Sequence, residues 1–423
     1  MPGPTATVGT AIGRIAIDRA VANVAEGGGV TPARQLVLIG GGHVHAIVLR
    51  DLVLQPDPHL EITLIARELR APYSGMLPGF VAGHYDLDAC HIDLVRLAKA
   101  AGARLVHGEA DGIDMGTKRV RLRGGRAIAF DLLSVNTGIT PAVDDITGAD
   151  DHAIAVKPVT TFAAKWQALE RQALTARGPR RFVVVGTGAG GFELVLAMRH
   201  RLLRVASDRG VSPDAFSFAL VGSGPLLPHH NVRARRLAAR ELEQARVELS
   251  QCDAAVEIGE GFVRLASGRM VASDAVLMAT KAAPPAWFRE AGLALDGHGF
   301  LAVEPTLQVC GEADIFAAGD CATVLAYPRE KAGVFAVRQG PPLARNLRLR
   351  ARGMAALPFV PQVHFLTLLA CGDKRAIAAR GQLAAAGRWA WHLKDRIDRR
   401  FMRGFEVETH PGGDASGPAL TSS

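Results

Sequence analysis

Twice in this chain a short aliphatic run ends on a cluster of glycines and continues as a helical pattern. The first copy is Gln35-Leu-Val-Leu-Ile39 followed by Gly40-Gly41-Gly42, then a helix with Ile47, Val48 and Leu52 as apolar positions, then the apolar run Glu61-Ile-Thr-Leu-Ile65. The second is Arg181-Phe-Val-Val-Val185, Gly186-Thr-Gly188-Ala-Gly-Gly191, a helix through Glu193 and Leu203, and a strand over Phe216–Val221. Strand, glycine turn, helix and strand make a βαβ unit, and few other folds accept this order. Glycines at such a turn let backbone approach a pyrophosphate, and the following helix aims free N–H groups and its positive end at that phosphate. Gly186, Gly188 and Gly191 complete the pattern in the second copy. The first has Gly40 and Gly42 but His45 at the third position, so an imidazole must either widen the helix–strand packing or point into the site.

Chain length and the spacing of the two turns predict two domains of similar plan, in the α/β class. The 46 glycines and 5% aromatic content suit many tight strand-to-helix turns better than a β-sandwich. Acidic residues (41) nearly balance the 49 basic ones, so nucleic acid is not an expected partner; anionic cofactors or an anionic membrane surface suit the charge equally well. The five cysteines form no C-x-x-C pair and no zinc spacing, so neither a disulfide framework nor a metal site is expected. No apolar run is long enough for a transmembrane helix. Residues 1–34 read as a flexible Gly-, Ala- and Thr-rich extension, with a helical turn or two around Ile15–Val24, and not as a signal peptide.

A ribose-binding carboxylate is expected where each unit's second strand ends. In the first unit that position is Ala66, so Arg67 or Glu68 would have to substitute; in the second the strand ends Val221-Gly222-Ser223-Gly224. NADH selectivity is therefore unsupported. Arg233, Arg235 and Arg236 are placed either to receive a 2′-phosphate or to stand as solvated helix residues.

Two such units with a late Ile315-Phe-Ala-Ala-Gly319-Asp320 resemble the FAD-dependent pyridine nucleotide–disulfide oxidoreductase superfamily. Asp131-Leu-Leu-Ser-Val-Asn-Thr137-Gly138 looks like that family's "ATG" strand, with Asn136 in place of the usual Ala. Gly-Gly-Gly-His43-Val-His45, Pro72-Tyr-Ser-Gly75-Met76-Leu-Pro-Gly79, His91-Ile-Asp-Leu94 and Lys331-Ala-Gly333-Val334-Phe-Ala-Val-Arg-Gln-Gly340 resemble the branch found alone or fused to the N-terminus of selenide, water dikinase. That branch is similar to type II NADH dehydrogenases and sulfide:quinone oxidoreductases.

The resemblance implies two Rossmann-like domains. An FAD-binding domain would span 35–150 and 299–345, an NAD(P)-binding-like domain 151–298, and a C-terminal interface segment 346–423. It implies FAD as cofactor, held by residues drawn from the quoted segments: Gly40, Gly42, His43, His45, Arg67, Gly75, Met76, Thr137, Gly138, Gly319, Asp320 (on the ribityl chain), Gly333 and Val334. A second nucleotide, NAD(P)H, would use Gly186, Gly188 and Gly191. Glu193 would lie close to the nicotinamide–flavin stack; the competing role is a helix-face acid near a positive helix end. Lys157, at the domain crossover, is a second candidate catalytic residue, or else a surface lysine.

A disulfide-reductase route fails, because Cys90 is the only cysteine before residue 250. The default is electron transfer from NAD(P)H through FAD to a quinone or other small acceptor. The alternatives are oxidation of a sulfur or selenium compound, through Cys90, Cys321 and Cys371, and a flavin-bound redox sensor or an oxidase of another organic substrate.

Near the C-terminus, Ala386, Ala390, Leu393, Ile397 and Phe401 fall on one helical face among Arg388, Lys394, Arg396, Arg399, Arg400 and Arg403, with Trp389 and Trp391 beside them. Such a helix either docks on its own body or a second subunit, or lies on an anionic bilayer. The expected location is the cytoplasm, with peripheral contact on the inner membrane face and a homodimer as further options.

Overall fold

The computed structural model describes residues 32–141, 146–279 and 282–406. The expected N-terminal helical turn around Ile15–Val24 lies outside the described residues, as does most of the 1–34 extension.

Four parallel strands open the chain: β1 (Arg34–Ile39), β2 (Leu60–Ala66), β3 (Arg104–His107) and β4 (Leu132–Val135). Helix α1 (His43–Leu54) crosses from β1 to β2. Five more strands form a second parallel sheet: β5 (Ala153–Ala155), β6 (Arg181–Val185), β7 (Ser217–Gly222), β8 (Val247–Gln251) and β9 (Ala275–Met278). Its order is β5-β9-β6-β7-β8, with helices α2 (Ala189–Asp208) and α3 (Val232–Gln244) in its crossovers. The chain then returns to the first sheet: β10 (Ile315–Ala317) pairs with β4, giving β10-β4-β1-β2-β3. Both sheets share one plan, in which the glycine turn follows a central strand and registers pair Leu36 with Ile62 in one and Phe182 with Phe218 in the other.

These strands are nearly continuous Val, Ile and Leu because both faces of a parallel sheet are covered. Leu36, Leu38, Leu64 and Leu133 are fully buried in one core, and Phe182, Val184 and Leu220 in another. The segment Thr306–Val309 makes isolated bridges, Val303 with Val309 and Gln308 with Phe316.

Helix α4 (Gly333–Ala351) packs along α1. The chain ends in a three-stranded antiparallel sheet, β11 (Thr367–Ala370), β12 (Ala376–Arg380) and β13 (Leu383–Gly387), and in helix α5 (Arg388–Arg403). This unit packs on α2 and α3.

The predicted apolar stripe of α5 is shifted in the structure. Ala386 belongs to β13, and Ile397 is 43% exposed, whereas Ala390, Trp391 and Asp398 are buried. The docking face is centred on a buried ion pair, Lys394–Asp398 at 2.7 Å, which hydrophobic periodicity alone does not reveal. One face of α5 thus docks on the protein's own body. The other exposes Arg388, Trp389, Arg396, Arg399, Arg400 and Arg403. Among the described residues no helix is long and apolar enough to cross a membrane.

Candidate functional site

The first turn is built on close backbone approach. Gly40 has φ +95°, and a Cβ there would lie 2.3 Å from the Asn136 carbonyl oxygen; one at Gly42 would lie 2.3 Å from Asn136 Oδ1. Asn136 is buried and its Nδ2 donates to the Ala318 carbonyl at 2.7 Å. One amide therefore joins the first turn, the end of β4 and the late Gly319-Asp320 segment. Gln339 adds a second staple, its Oε1 accepting from the Gly319 N–H at 2.6 Å.

His45 is fully buried. Its Nδ1 lies 2.7 Å from the Gly40 carbonyl and its Nε2 2.9 Å from Ser134 Oγ. A carbonyl can only accept, so Nδ1 carries the proton and Ser134 donates to Nε2. Burial pulls its pKa down to about 4, and the ring is neutral near pH 7. The imidazole closes the turn from behind, where the second copy uses Gly191, whose added Cβ would lie 1.8 Å from the Gly186 carbonyl.

His43 stands in the first turn of α1, whose N-terminus no side chain caps among the described residues. Its Nε2 is buried without a hydrogen-bond partner among the described residues, and burial lowers its pKa. Its ring meets Tyr73 edge-on at 5.5 Å, and both Asp320 and Lys157 lie close enough to act on its charge.

Lys157 Nζ sits 3.2 Å from Asp320 Oδ2, immediately before a cis Lys157–Pro158 bond. Crossover and late segment, 163 positions apart in sequence, thus meet at one ion pair. Thr137 lies against Cys321, and Gly138 is exposed. Gly333 begins α4 beside Ser74, with Val334 half-buried in its first turn. Lys331 turns away from this group: its Nζ donates to the Ala322 carbonyl (2.6 Å) and Thr323 Oγ1 (2.8 Å) and lies over the Phe300 ring. Arg67, at the end of β2, is half-exposed and pairs with Glu68 and Glu109.

An anionic dinucleotide suits these residues. The uncapped α1 N-terminus and the glycine turn match a pyrophosphate. The unpartnered His43 Nε2 is a buried polar group that a ligand would satisfy.

A second group of side chains lies where α2, α5 and the Tyr73–Met76 segment meet. Glu193 Oε1 accepts from the Ala370 N–H at 2.7 Å. Burial pushes the Glu193 pKa up to about 7, against the pull of Lys394 and that N–H. Lys394 Nζ donates to the Gly75 carbonyl (2.6 Å) and to Asp398 Oδ2 (2.7 Å). Burial works against its ammonium, but Asp398 and Glu193 outweigh it and hold the pKa above the usual lysine value. Tyr73 donates to Asp398 Oδ1 at 3.1 Å and packs on Phe401. Met76 is buried beneath. Tyr73, Lys394 and Asp398 are functional candidates that sequence reasoning missed; the i,i+4 spacing of the last two was the one available signal.

Cys90, Cys321 and Cys371 are buried, Cys310 is half-buried and Cys252 is exposed. Burial pushes the Cys90 thiol up to about 12 and the Cys321 thiol to about 11, and raises Cys371 further. Cys321 Sγ faces the Val135 and Ala318 carbonyls. Among the described residues no His, Cys, Asp and Glu cluster could hold a metal.

Two parallel sheets of matching order, each with a glycine turn after a central strand and joined by a charged crossover, define a flavoprotein-type redox protein with two nucleotide-binding units. Residues 34–346 match the family model for pyridine nucleotide-disulphide oxidoreductases, and the chain belongs to that family. It is an FAD-dependent oxidoreductase. The NADH dehydrogenase-like protein YutJ of Bacillus subtilis is 23% identical over 351 residues, covering 81% of this chain and 91% of that protein. Many solved structures share the fold. The sulfide:quinone oxidoreductase of Aquifex aeolicus has a TM-score of 0.73 at 18% identity, over 88% of this chain and 92% of that one. NDH2 of Plasmodium falciparum, in complex with NADH, has a TM-score of 0.73 at 12% identity, over 88% and 97%.

Proposed function

We propose that this protein passes electrons from NADH or NADPH through FAD to a quinone or another small acceptor. The observation that carries the reading is the convergence of five segments on one locus: the α1 N-terminus, Tyr73–Met76, Lys157 with Asp320, the α4 N-terminus, and Glu193 with Lys394. FAD, when bound, supplies the hydride and electron chemistry.

The roles of the side chains follow from their settings. Gly40 and Gly42 bring backbone to the pyrophosphate, His43 offers Nε2, and Asp320 takes a ribityl hydroxyl. Gly75, Met76, Thr137, Gly138, Gly319 and Val334 line the path of the cofactor, and Arg67 with its two carboxylate partners borders the adenosine end. His45 and Gly333 shape the two helix entrances. Gly186, Gly188 and Gly191 form the phosphate turn for the nicotinamide nucleotide. Lys157 places a cation beside the ring system, where it stabilises negative charge that develops on reduction. Glu193, with a pKa near 7, is poised to take or give a proton at its free carboxylate oxygen, and Lys394 steadies its anion. The basic outer face of α5, with Trp389 and Ile397 exposed, supports peripheral contact with an anionic bilayer, where quinones reside. The relatives' names point the same way, to NADH and to quinone as substrates.

The buried, high-pKa thiols weigh against a sulfide route, because thiolate is the reactive form. Anaerobic mixing of the FAD-loaded chain with NADH, NADPH or sulfide tests the proposal. Bleaching of the flavin band by a nicotinamide nucleotide within seconds is expected, unchanged by Cys→Ser at 90, 321 and 371. Bleaching by sulfide alone would replace this reading with the sulfur one.

A further inference from the structure

The two glycine turns differ at one place that bears on what the second accepts. In the first unit the residue between the glycines is Gly41, and the strand opposite ends in Ala66; a Cβ at Gly41 would lie 3.6 Å from that of Ala66 and 2.2 Å from Leu94 Cδ1. In the second unit the pair is exchanged. Thr187 stands between the glycines and Gly222 ends the strand. Register makes the positions equivalent: Ile39 pairs with Ile65, and Val185 with Val221.

A Cβ at Gly222 would lie 2.8 Å from Thr187 Oγ1, 2.9 Å from its Cγ2 and 3.0 Å from its backbone nitrogen. Thr187 is buried, and its hydroxyl donates to the Gly224 carbonyl at 3.1 Å. The Leu227 N–H donates to the Thr187 carbonyl at 2.9 Å, and Leu226 and Leu227 are buried beneath. The space from which a strand-end carboxylate would rise is therefore filled from across the turn, and the filling side chain is fixed by its hydrogen bond to the Gly224 carbonyl. Gly222, Ser223 and Gly224 carry no charge. Of the nearby arginines, Arg235 is tied to the Leu226 carbonyl through Nε at 3.1 Å, and Arg233 and Arg236 are exposed.

We infer that the Thr187–Gly222 pair sets the nucleotide selectivity of the second turn: with Thr187 in the carboxylate's place the adenosine ribose has no clamp, and NADH and NADPH bind alike. The inference rests on the proposal that a nicotinamide nucleotide occupies this turn. A carboxylate there would accept from both ribose hydroxyls of NADH and repel the 2′-phosphate of NADPH. Its absence removes both effects.

The test is calorimetric titration of the FAD-loaded chain with NAD+ and NADP+, which bind without reducing the flavin, at physiological ionic strength. The wild type is expected to bind the two within about threefold, a difference well under 1.4 kcal/mol. Thr187→Gly alone creates room and no preference. Gly222→Glu alone gains nothing, because its Cβ meets Thr187. The double variant Thr187→Gly/Gly222→Glu, with only the 3.0 Å backbone approach left to relax, favours NAD+ by at least about tenfold. Should Gly222→Glu not fold, the wild type, Thr187→Gly and the double variant still decide the matter.

A wild-type preference above tenfold in either direction overturns the inference, as does Gly222→Glu matching the double variant. If the wild type binds both nucleotides but neither bleaches the flavin, the proposed electron donor falls and the inference stands. If NADH and NADPH bleach it with strongly unequal affinity, the inference falls and the proposed function stands. If neither nucleotide binds either protein, both fall.

Discussion

Replacing Lys394 by Met removes one partner of the most enclosed ion pair among the described residues of the C-terminal unit. Lys394 and Asp398 side chains are 12% and 6% exposed. The Lys394→Met chain keeps most of the aliphatic packing, yet it leaves the Asp398 carboxylate with one hydrogen bond, from Tyr73 at 3.1 Å. Breaking a buried pair in this way costs about 3–5 kcal/mol, whereas replacing both members by apolar groups is often neutral. Lys394→Met/Asp398→Leu should therefore recover part of the single-variant loss; the remainder is the orphaned Tyr73 hydroxyl and Gly75 carbonyl, each worth about 1–3 kcal/mol. Urea unfolding followed by tryptophan emission measures this directly, because Trp391 is buried on the same helix. Protease cleavage supplies a second probe should α5 open before the rest. A Lys394→Met loss below about 1 kcal/mol, or a double variant as unstable as the sum of the singles, would refute the reasoning.

Glu193→Gln should flatten a pH dependence. The folded pKa of about 7 lies above the usual 4.5, so the carboxyl contributes stability below pH 4.5 that is lost as pH rises through 7. Relative to wild type, the variant gains about 3 kcal/mol over that window, read from melts at matched pH. His45 acts oppositely: its pKa of about 4 lies below the usual 6.5, so its contribution is complete above pH 6.5 and lost as pH falls toward 4. His45→Gly leaves the Gly40 carbonyl and Ser134 hydroxyl unpaired, lowers stability at pH 7 by about 1–3 kcal/mol, and removes that acid sensitivity. Gly42→Ala drives a methyl against Asn136 Oδ1 and should yield protein purified without flavin, seen as loss of the visible flavin absorbance.

The βαβ units were legible because buried parallel strands are nearly uniform in Val, Ile and Leu and because glycine turns leave a short-range signature. The return of Ile315–Ala317 to the first sheet was legible only through the family resemblance. The Tyr73–Asp398–Lys394 group was not legible: Tyr73 and Asp398 lie 325 positions apart, and nothing in the local sequence of either names the other. The face of α5 was misjudged for the same reason, since a polar pair at the centre of a docking seam reads as solvent-facing. His45 was recognisable as an anomaly, but its direction depended on Ser134, a strand residue with no pattern of its own.

Asn136 carries a consequence for how the protein is made. Its amide is satisfied only when Ala318 arrives, and the edge of the first sheet is paired only when Ile315–Ala317 does. On a ribosome, roughly ten seconds or more separate the synthesis of β4 from that of β10. During that wait β4 presents an open apolar edge, while the intervening chain completes the second sheet from its own strands. The order of assembly therefore runs against the order of sequence: the unit that starts first finishes last. Mutations that slow the second sheet's closure prolong exposure of the first, and their penalty would show in soluble yield before it showed in the melting temperature of the finished protein.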